Sequence, residues 1–280
     1  MATHIITIFC EGPHDIAFLT KILKSDAYKS IDKCKIGDFP LPYSNLLVTE
    51  ARKSNIEDLN LQELRSTLMP SETLKKDDNY LFFFSLGGDT RKDKRGKLLN
   101  DLNIFIPKSK NEISTLPENT VLSVLYFFDA DEKGVTTRLN EVGKEINEII
   151  SEVDENSFHK NAQKISLFED LLNIGAYIFS KKDAEMGKLE DILVPLMKLG
   201  NEQIFEEAEK YIDNNYNVTR IKKNNFDLKK SIVCTVGQLQ KSGSSNVVCI
   251  GQTDYLTPEK IQSDDQCIEI VDFFNRFISI

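Results

Sequence analysis

A parallel α/β sheet flanked by helices, followed by a mostly helical carboxyl-terminal extension, is the fold class that this 280-residue sequence predicts. Three observations predict it. Four apolar runs are continuous rather than alternating, as parallel strands covered on both faces must be. Helical spacing follows three of those runs, which is the pattern of crossover connections. Carboxylates and glycines stand where runs end, and parallel sheets gather ligands beyond the carboxyl ends of their strands.

The first run, Ile5–Cys10, breaks at "EGPHD". Gly12 permits a turn and Pro13 suits a first helical turn, where its missing N–H costs nothing. Asp15 then falls where a helix dipole favours an anion, and Ile16, Leu19, Ile22 and Leu23 carry the helical spacing. Residues 25–79 read as a polar, mixed insertion, with "LPYSNLLV" (41–48) as an extra strand and 56–68 as a helix. The second run, Tyr80–Leu86, is followed by Gly87 and Gly88 and then by the densest basic stretch: Arg91, Lys92, Lys94, Arg95 and Lys97. This stretch reads either as a loop that holds a phosphate backbone or as solvated surface. It is not a phosphate loop of the ATPase kind. Seven residues separate Gly88 from Gly96 where four are needed, and Leu98 stands in place of Ser or Thr.

The third run, Val121–Phe128, ends in "DADEKG". In extended geometry Asp129 and Asp131 face the same side, so both carboxylates converge, and Gly134 frees the chain to turn. Leu139, Val142, Ile146 and Ile149 continue as a helix. The fourth run, Ile174–Phe179, precedes a helix through Leu189, Ile192, Leu193 and Leu196. Beyond residue 200, helical patterns recur at 204–212 and 268–277. "KSGSSN" (241–246) reads as a turn, and "SIVCTVGQLQ" after Lys229 and Lys230 as a further helix. The organisation expected is a core over 1–200 and an extension over 201–280 packed on it.

Composition narrows the function. A net charge of −9 argues against coating nucleic acid by charge alone, but leaves room for an enzyme that meets phosphates through cations. Five scattered cysteines without CxxC spacing, and three histidines, argue against zinc and for reduced thiols in a cytoplasm. No apolar run is long enough to span a membrane. Grouped carboxylates repel unless protons or cations intervene, and oxygen-only ligands select a hard cation, Mg²⁺ or Mn²⁺.

"CEGPHD" with "FFDADEKG" resembles the TOPRIM domain of topoisomerases, bacterial primases, RNA-maturation nucleases and OLD-family nucleases, over roughly residues 4–200. The resemblance implies a TOPRIM-type, Rossmann-like sheet. It implies Glu11 as acid–base residue and metal ligand, with Asp129 and Asp131 as ligands and Asp15, which matches the Asp that often follows the Glu-Gly pair, as a further metal residue. "FSLGGD" is similar to the second strand and its turn. "GKLEDILVPL" is similar to a later acidic motif, which makes Glu190 a further ligand and Lys230 a candidate for stabilising transition-state charge. No topoisomerase cleavage domain, primase zinc module or ATPase half accompanies it. The expectation is a stand-alone Mg²⁺- or Mn²⁺-dependent nuclease acting on DNA or RNA in a defence or repair system. It is expected to be governed by a separate ATPase or by self-association. A regulatory binding module and primase-like nucleotidyl transfer are the alternatives.

Overall fold

The computed structural model describes residues 2–52, 68–107, 112, 115–216 and 227–278. Seven strands form one sheet: β1 (Thr3–Cys10), β2 (Lys29–Ser30), β3 (Glu72–Lys76), β4 (Asn79–Ser85), β5 (Thr120–Asp129), β6 (Gln163–Leu167) and β7 (Leu172–Phe179), in the order β2-β3-β4-β1-β5-β7-β6. The four expected strands are its parallel centre. β1 pairs β4 with Ile8 opposite Phe83, and pairs β5 with Ile8 opposite Leu125; β5 pairs β7 with Leu125 opposite Gly175. The sheet is mixed rather than wholly parallel, because β3 and β6 join its two sides antiparallel and β2 adds a short edge. These three segments are short and half polar, so they carry none of the continuous apolar signal of doubly covered strands.

Among the described residues, the helices are α1 (Pro13–Ser25), α2 (Tyr43–Arg52), α3 (Lys92–Asn103), α4 (Val135–Asn147), α5 (Leu189–Lys198), α6 (Glu202–Asn215), α7 (Leu228–Gly237), α8 (Asn246–Gln252), α9 (Pro258–Ser263) and α10 (Asp265–Ile278). Two corrections to the sequence reading fall here. "LPYSNLLV" enters helix α2 and not a strand: Tyr43, Ser44 and Leu47 are its buried residues. Positions i, i+1 and i+4 can share one helix face, whereas neighbours on a strand such as Tyr43 and Ser44 point to opposite faces. The basic stretch is not a loop, since Lys92 to Lys97 form the first turns of α3, with Leu98, Leu99 and Leu102 buried behind them. Most of the expected helix at 56–68 lies outside the described residues.

Alternation along the central strands splits the interior in two. Ile6, Ile8 and Cys10 face a core shared with α1, α5 and the carboxyl-terminal helices, while Ile5 and Phe9 face one shared with α2, α3 and α4. The extension is therefore one cover of the sheet. Phe273 and Phe274 of α10 lie against Phe127 of β5 at ring separations of 5.8 and 5.3 Å, and Phe273 lies 6.0 Å from Tyr177 of β7. The turn at 241–246 joins α7 to α8, as its Gly and Ser content predicts. All five cysteines are free, and among the described residues no helix is long and apolar enough to cross a membrane.

Candidate metal centre

The central strands end together, and the helices that follow β1 and β7 carry acids in their first turns, Asp15 in α1 and Glu190 and Asp191 in α5. β1 ends at Cys10, whose successor Glu11 is held by its own backbone: its N–H donates to the Phe127 carbonyl at 3.2 Å and its carbonyl accepts from Gly87 at 3.2 Å. Gly87 packs directly on the Glu11 main chain, and a Cβ there would overlap the Glu11 Cα. The turn after β4 is thus shaped by the backbone that presents Glu11. Gly88 follows at φ +75°. Gly12 sits at φ −148°, extended backbone open to any residue, so the turn does not require glycine there.

Helix α1 begins at once. Asp15, at its third position, accepts the Gly12 N–H at 2.7 Å, closing the first turn. Helix α5 begins the same way, with Asp191 accepting the Lys188 N–H at 2.9 Å. The second positions of the two helices are His14 and Glu190, and these meet, His14 Nδ1 to Glu190 Oε1 at 3.3 Å. Asp129, the last residue of β5, lies between these starts. Its Oδ1 accepts the Leu189 N–H at 2.8 Å, and its own N–H donates to Glu11 Oε2 at 3.0 Å. Lys230, near the start of α7, reaches Glu190 Oε1 at 3.6 Å.

Glu11, Asp15, Asp129 and Glu190, expected from three separated segments, are therefore in one place, and three of them are dry. Asp15, Asp129 and Glu190 are 4%, 7% and 2% exposed. Burial, and then the neighbouring Asp15 and Glu11, push Asp129 up to about 9 against the Leu189 hydrogen bond. Burial pushes Asp15 up to about 7, with Glu11 and Glu190 adding to it and the Gly12 hydrogen bond and Lys230 opposing. Glu190 Oε2 is buried with no hydrogen-bond partner among the described residues. A buried carboxylate oxygen without a donor is costly unless a cation or proton meets it.

Asp131 departs from the expectation. The strand stops at Asp129, and Asp131 takes φ +48°, bridging to Gly187 through its main chain. The two-residue alternation of an extended chain thus fails one residue too early to aim Asp131 beside Asp129. Its Oδ2 instead accepts from Arg138 Nη2 at 2.8 Å. Gly134 follows at φ +87°, where an L side chain is strained, and starts α4.

The basic set is also rearranged. Arg95 is 4% exposed and forks onto Glu145 at 2.7 and 2.6 Å, while binding the Leu86 and Gly88 carbonyls. It cannot hold a backbone phosphate from there; it holds the turn that packs on Glu11. Lys92 pairs Glu148 at 2.6 Å and Lys97 pairs Glu50 at 2.7 Å. Arg91 binds the Ser85 carbonyl, and Lys94 lies on the same helix. The expected phosphate-holding loop is thus a charge-paired helix.

Sequence reading missed His14 and Arg138. His14 lies inside the quoted "EGPHD", where the helix-start register places it beside position three. Arg138 lies seven residues past Asp131, in the first turn of α4, and the turn at Gly134 brings it back beside Asp131. A cavity of about 310 Å³ beside the acids is lined by Glu11, Gly88, Phe128, Lys133 and Arg138 among others.

The donor chemistry fits a hard divalent cation. Glu11, Asp15, Asp129 and Glu190 are oxygen donors only, in a pocket where two are driven toward protonation and one oxygen is orphaned. Among the described residues, however, no three acidic, His or Cys side chains converge on one cation position in this conformation.

Fold and site together define an α/β protein with a buried carboxylate cluster at the carboxyl edge of a mostly parallel sheet. The chain belongs to the family described as "Protein of unknown function (DUF3226)", which matches residues 6–279. No curated protein matches it. Among solved structures, hypothetical protein PH0156 from Pyrococcus horikoshii OT3 is similar over 98% of this chain and 95% of its own, with a TM-score of 0.53 and 14% identity. At that identity the likeness speaks for the fold alone.

Proposed function

We propose that this protein is a TOPRIM-type nuclease that uses Mg²⁺ or Mn²⁺ to hydrolyse phosphodiester bonds in DNA or RNA. The observation that carries the reading is the group of half-buried Glu11 with buried Asp15, Asp129 and Glu190 where the strands end, with the orphaned Glu190 oxygen. Each acid has at least one partner, yet Glu190 Oε2 stays buried and unpartnered among the described residues, which a purely structural role does not call for. Glu11, Asp129 and Glu190 would hold the cation, with Asp15 buttressing the turn and Asp131 joining from its exposed position. When bound, such a cation balances charge on the phosphate oxygens and acidifies water.

The chain's own residues do the rest. Glu11 takes the proton of the attacking water as its oxygen bonds to phosphorus. The P–O bond to the leaving sugar breaks, and that oxygen takes a proton from solvent while the Lys230 ammonium steadies the developing charge. The products are a phosphomonoester end and a hydroxyl end. His14, on Glu190, orients that carboxylate.

The test is cleavage of plasmid DNA and total RNA, with labelled nucleoside triphosphates alongside, in Mg²⁺ or Mn²⁺ against an EDTA control. Cation-dependent nicking or fragmentation that Glu11→Gln abolishes is expected. Incorporation of triphosphates without cleavage would instead favour nucleotidyl transfer. Binding without either would favour a regulatory module governed by a partner.

A further inference from the structure

Among the described residues, Arg138 is the one guanidinium in the cavity that touches the acidic edge directly. Its Nε donates to the main-chain carbonyl of Asp129 at 3.0 Å, its Nη2 to Asp131 at 2.8 Å and its Nη1 to Glu141 at 3.1 Å. Burial would favour loss of its charge, yet Asp131, Glu11 and Glu141 together hold it charged. The three contacts are unequal. The Asp129 carbonyl anchors the stem to the residue at the centre of the cluster. Asp131 and Glu141 are each more than two-fifths exposed, so those pairs stand partly in water and exchange readily. A guanidinium has five N–H donors, so two remain beyond these contacts. The side chain lines the same cavity as Glu11 and Gly88.

We propose that Arg138 is an exchangeable counter-ion of the cation site: it neutralises Asp131 while the site is empty, and on loading it yields Asp131 to the cation and turns its fork to the scissile phosphate. This rests on the nuclease reading above. It explains why Asp131 lies outside the buried cluster: the acid is parked on an arginine. It also supplies a forked phosphate-binding group that α3 does not, because the α3 guanidinium, Arg95, is buried on Glu145. The planar fork matches two phosphate oxygens, which a lysine cannot do.

The experiment uses the full chain and two probes. Free Mn²⁺ is followed by its paramagnetic resonance signal. Binding of a cleavage-resistant phosphorothioate oligonucleotide, in DNA and RNA versions, is followed across a salt series in Mn²⁺. With Arg138→Ala, Mn²⁺ affinity should rise by up to about tenfold, because a competing positive charge is gone. Oligonucleotide binding should weaken, with a salt slope shallower by about one unit. Arg138→Lys keeps the charge and loses the fork, so it should restore Mn²⁺ affinity to the parent's and recover the slope without the full affinity. The effects of Arg138→Ala and Asp131→Asn on Mn²⁺ affinity should be non-additive. A thermal melt confirms that each variant is folded; if Arg138→Ala is not, Arg138→Lys and Asp131→Asn decide. If the parent binds Mn²⁺ while the folded variants match it in Mn²⁺ and oligonucleotide affinity, the role of Arg138 is overturned and the nuclease reading stands. If the parent binds no Mn²⁺, both fall.

Discussion

Asp129 is the residue on which the site turns, and its raised pKa has a measurable sign. A carboxyl that sits near 3.8 when unfolded and near 9 when folded binds more protons in the native state between those values. Stability without metal should therefore be highest near pH 4 and fall as pH rises toward about 9, the reverse of a salt-bridged aspartate. Asp15, at about 7, adds to the same slope over the lower part of the window. Denaturant midpoints of the EDTA-treated protein across that range should show the decline, and Asp129→Asn should flatten it. A midpoint that climbs with pH would mean the acids are paired. The same substitution, and Glu11→Gln, should cut cleavage by orders of magnitude while the metal-free thermal midpoint holds or rises, because repulsion is relieved. Glu11 and Asp129 were legible in the sequence because each directly follows an apolar run, whereas Glu190, in a later helix start, was marked only by the resemblance. The position of Asp131 was not, because alternation says nothing of where a strand stops.

At the scale of elements, the turn between β4 and α3 is set by contacts that no local pattern records. Arg95 binds its carbonyls and Glu145, and Gly87 packs on Glu11. Breaking the buried pair with Arg95→Ala should cost roughly 3–5 kcal/mol, since Glu145 is left charged and unpaired. It should also lower activity by freeing the turn. Gly87→Ala should lower activity more than stability, because the new methyl displaces the Glu11 main chain. By contrast, Lys92→Ala and Lys97→Ala remove exposed pairs worth about 0–1 kcal/mol each, and melting curves should barely move. Arg95 read as surface because a charged residue in a basic run usually is. Its burial depends on Glu145, fifty positions away, and only the tertiary fold brings that acid near.

Across the whole molecule, the extension after residue 200 covers one face of the sheet and also reaches the site, through Lys230 on Glu190. The central strands and most helices were legible from periodicity. The antiparallel edges were not, because two to five half-polar residues pair through their backbones and leave little pattern. Phe273 stands among Phe127, Tyr177 and Phe277. Phe273→Ala should cost about 3–5 kcal/mol, read from denaturant unfolding, and a chain cut at residue 200 should be insoluble because that apolar face is laid bare. In the proposed function, a divalent cation replaces protons in the carboxylate cluster. Calorimetric titration of Mn²⁺ at pH 7, repeated in buffers of different ionisation enthalpy, counts the protons released as the metal binds. Release of about one or more protons per cation is predicted, falling in Asp129→Asn, which has no proton to give at that position. Binding with no proton released, or no binding at all, would contradict the account.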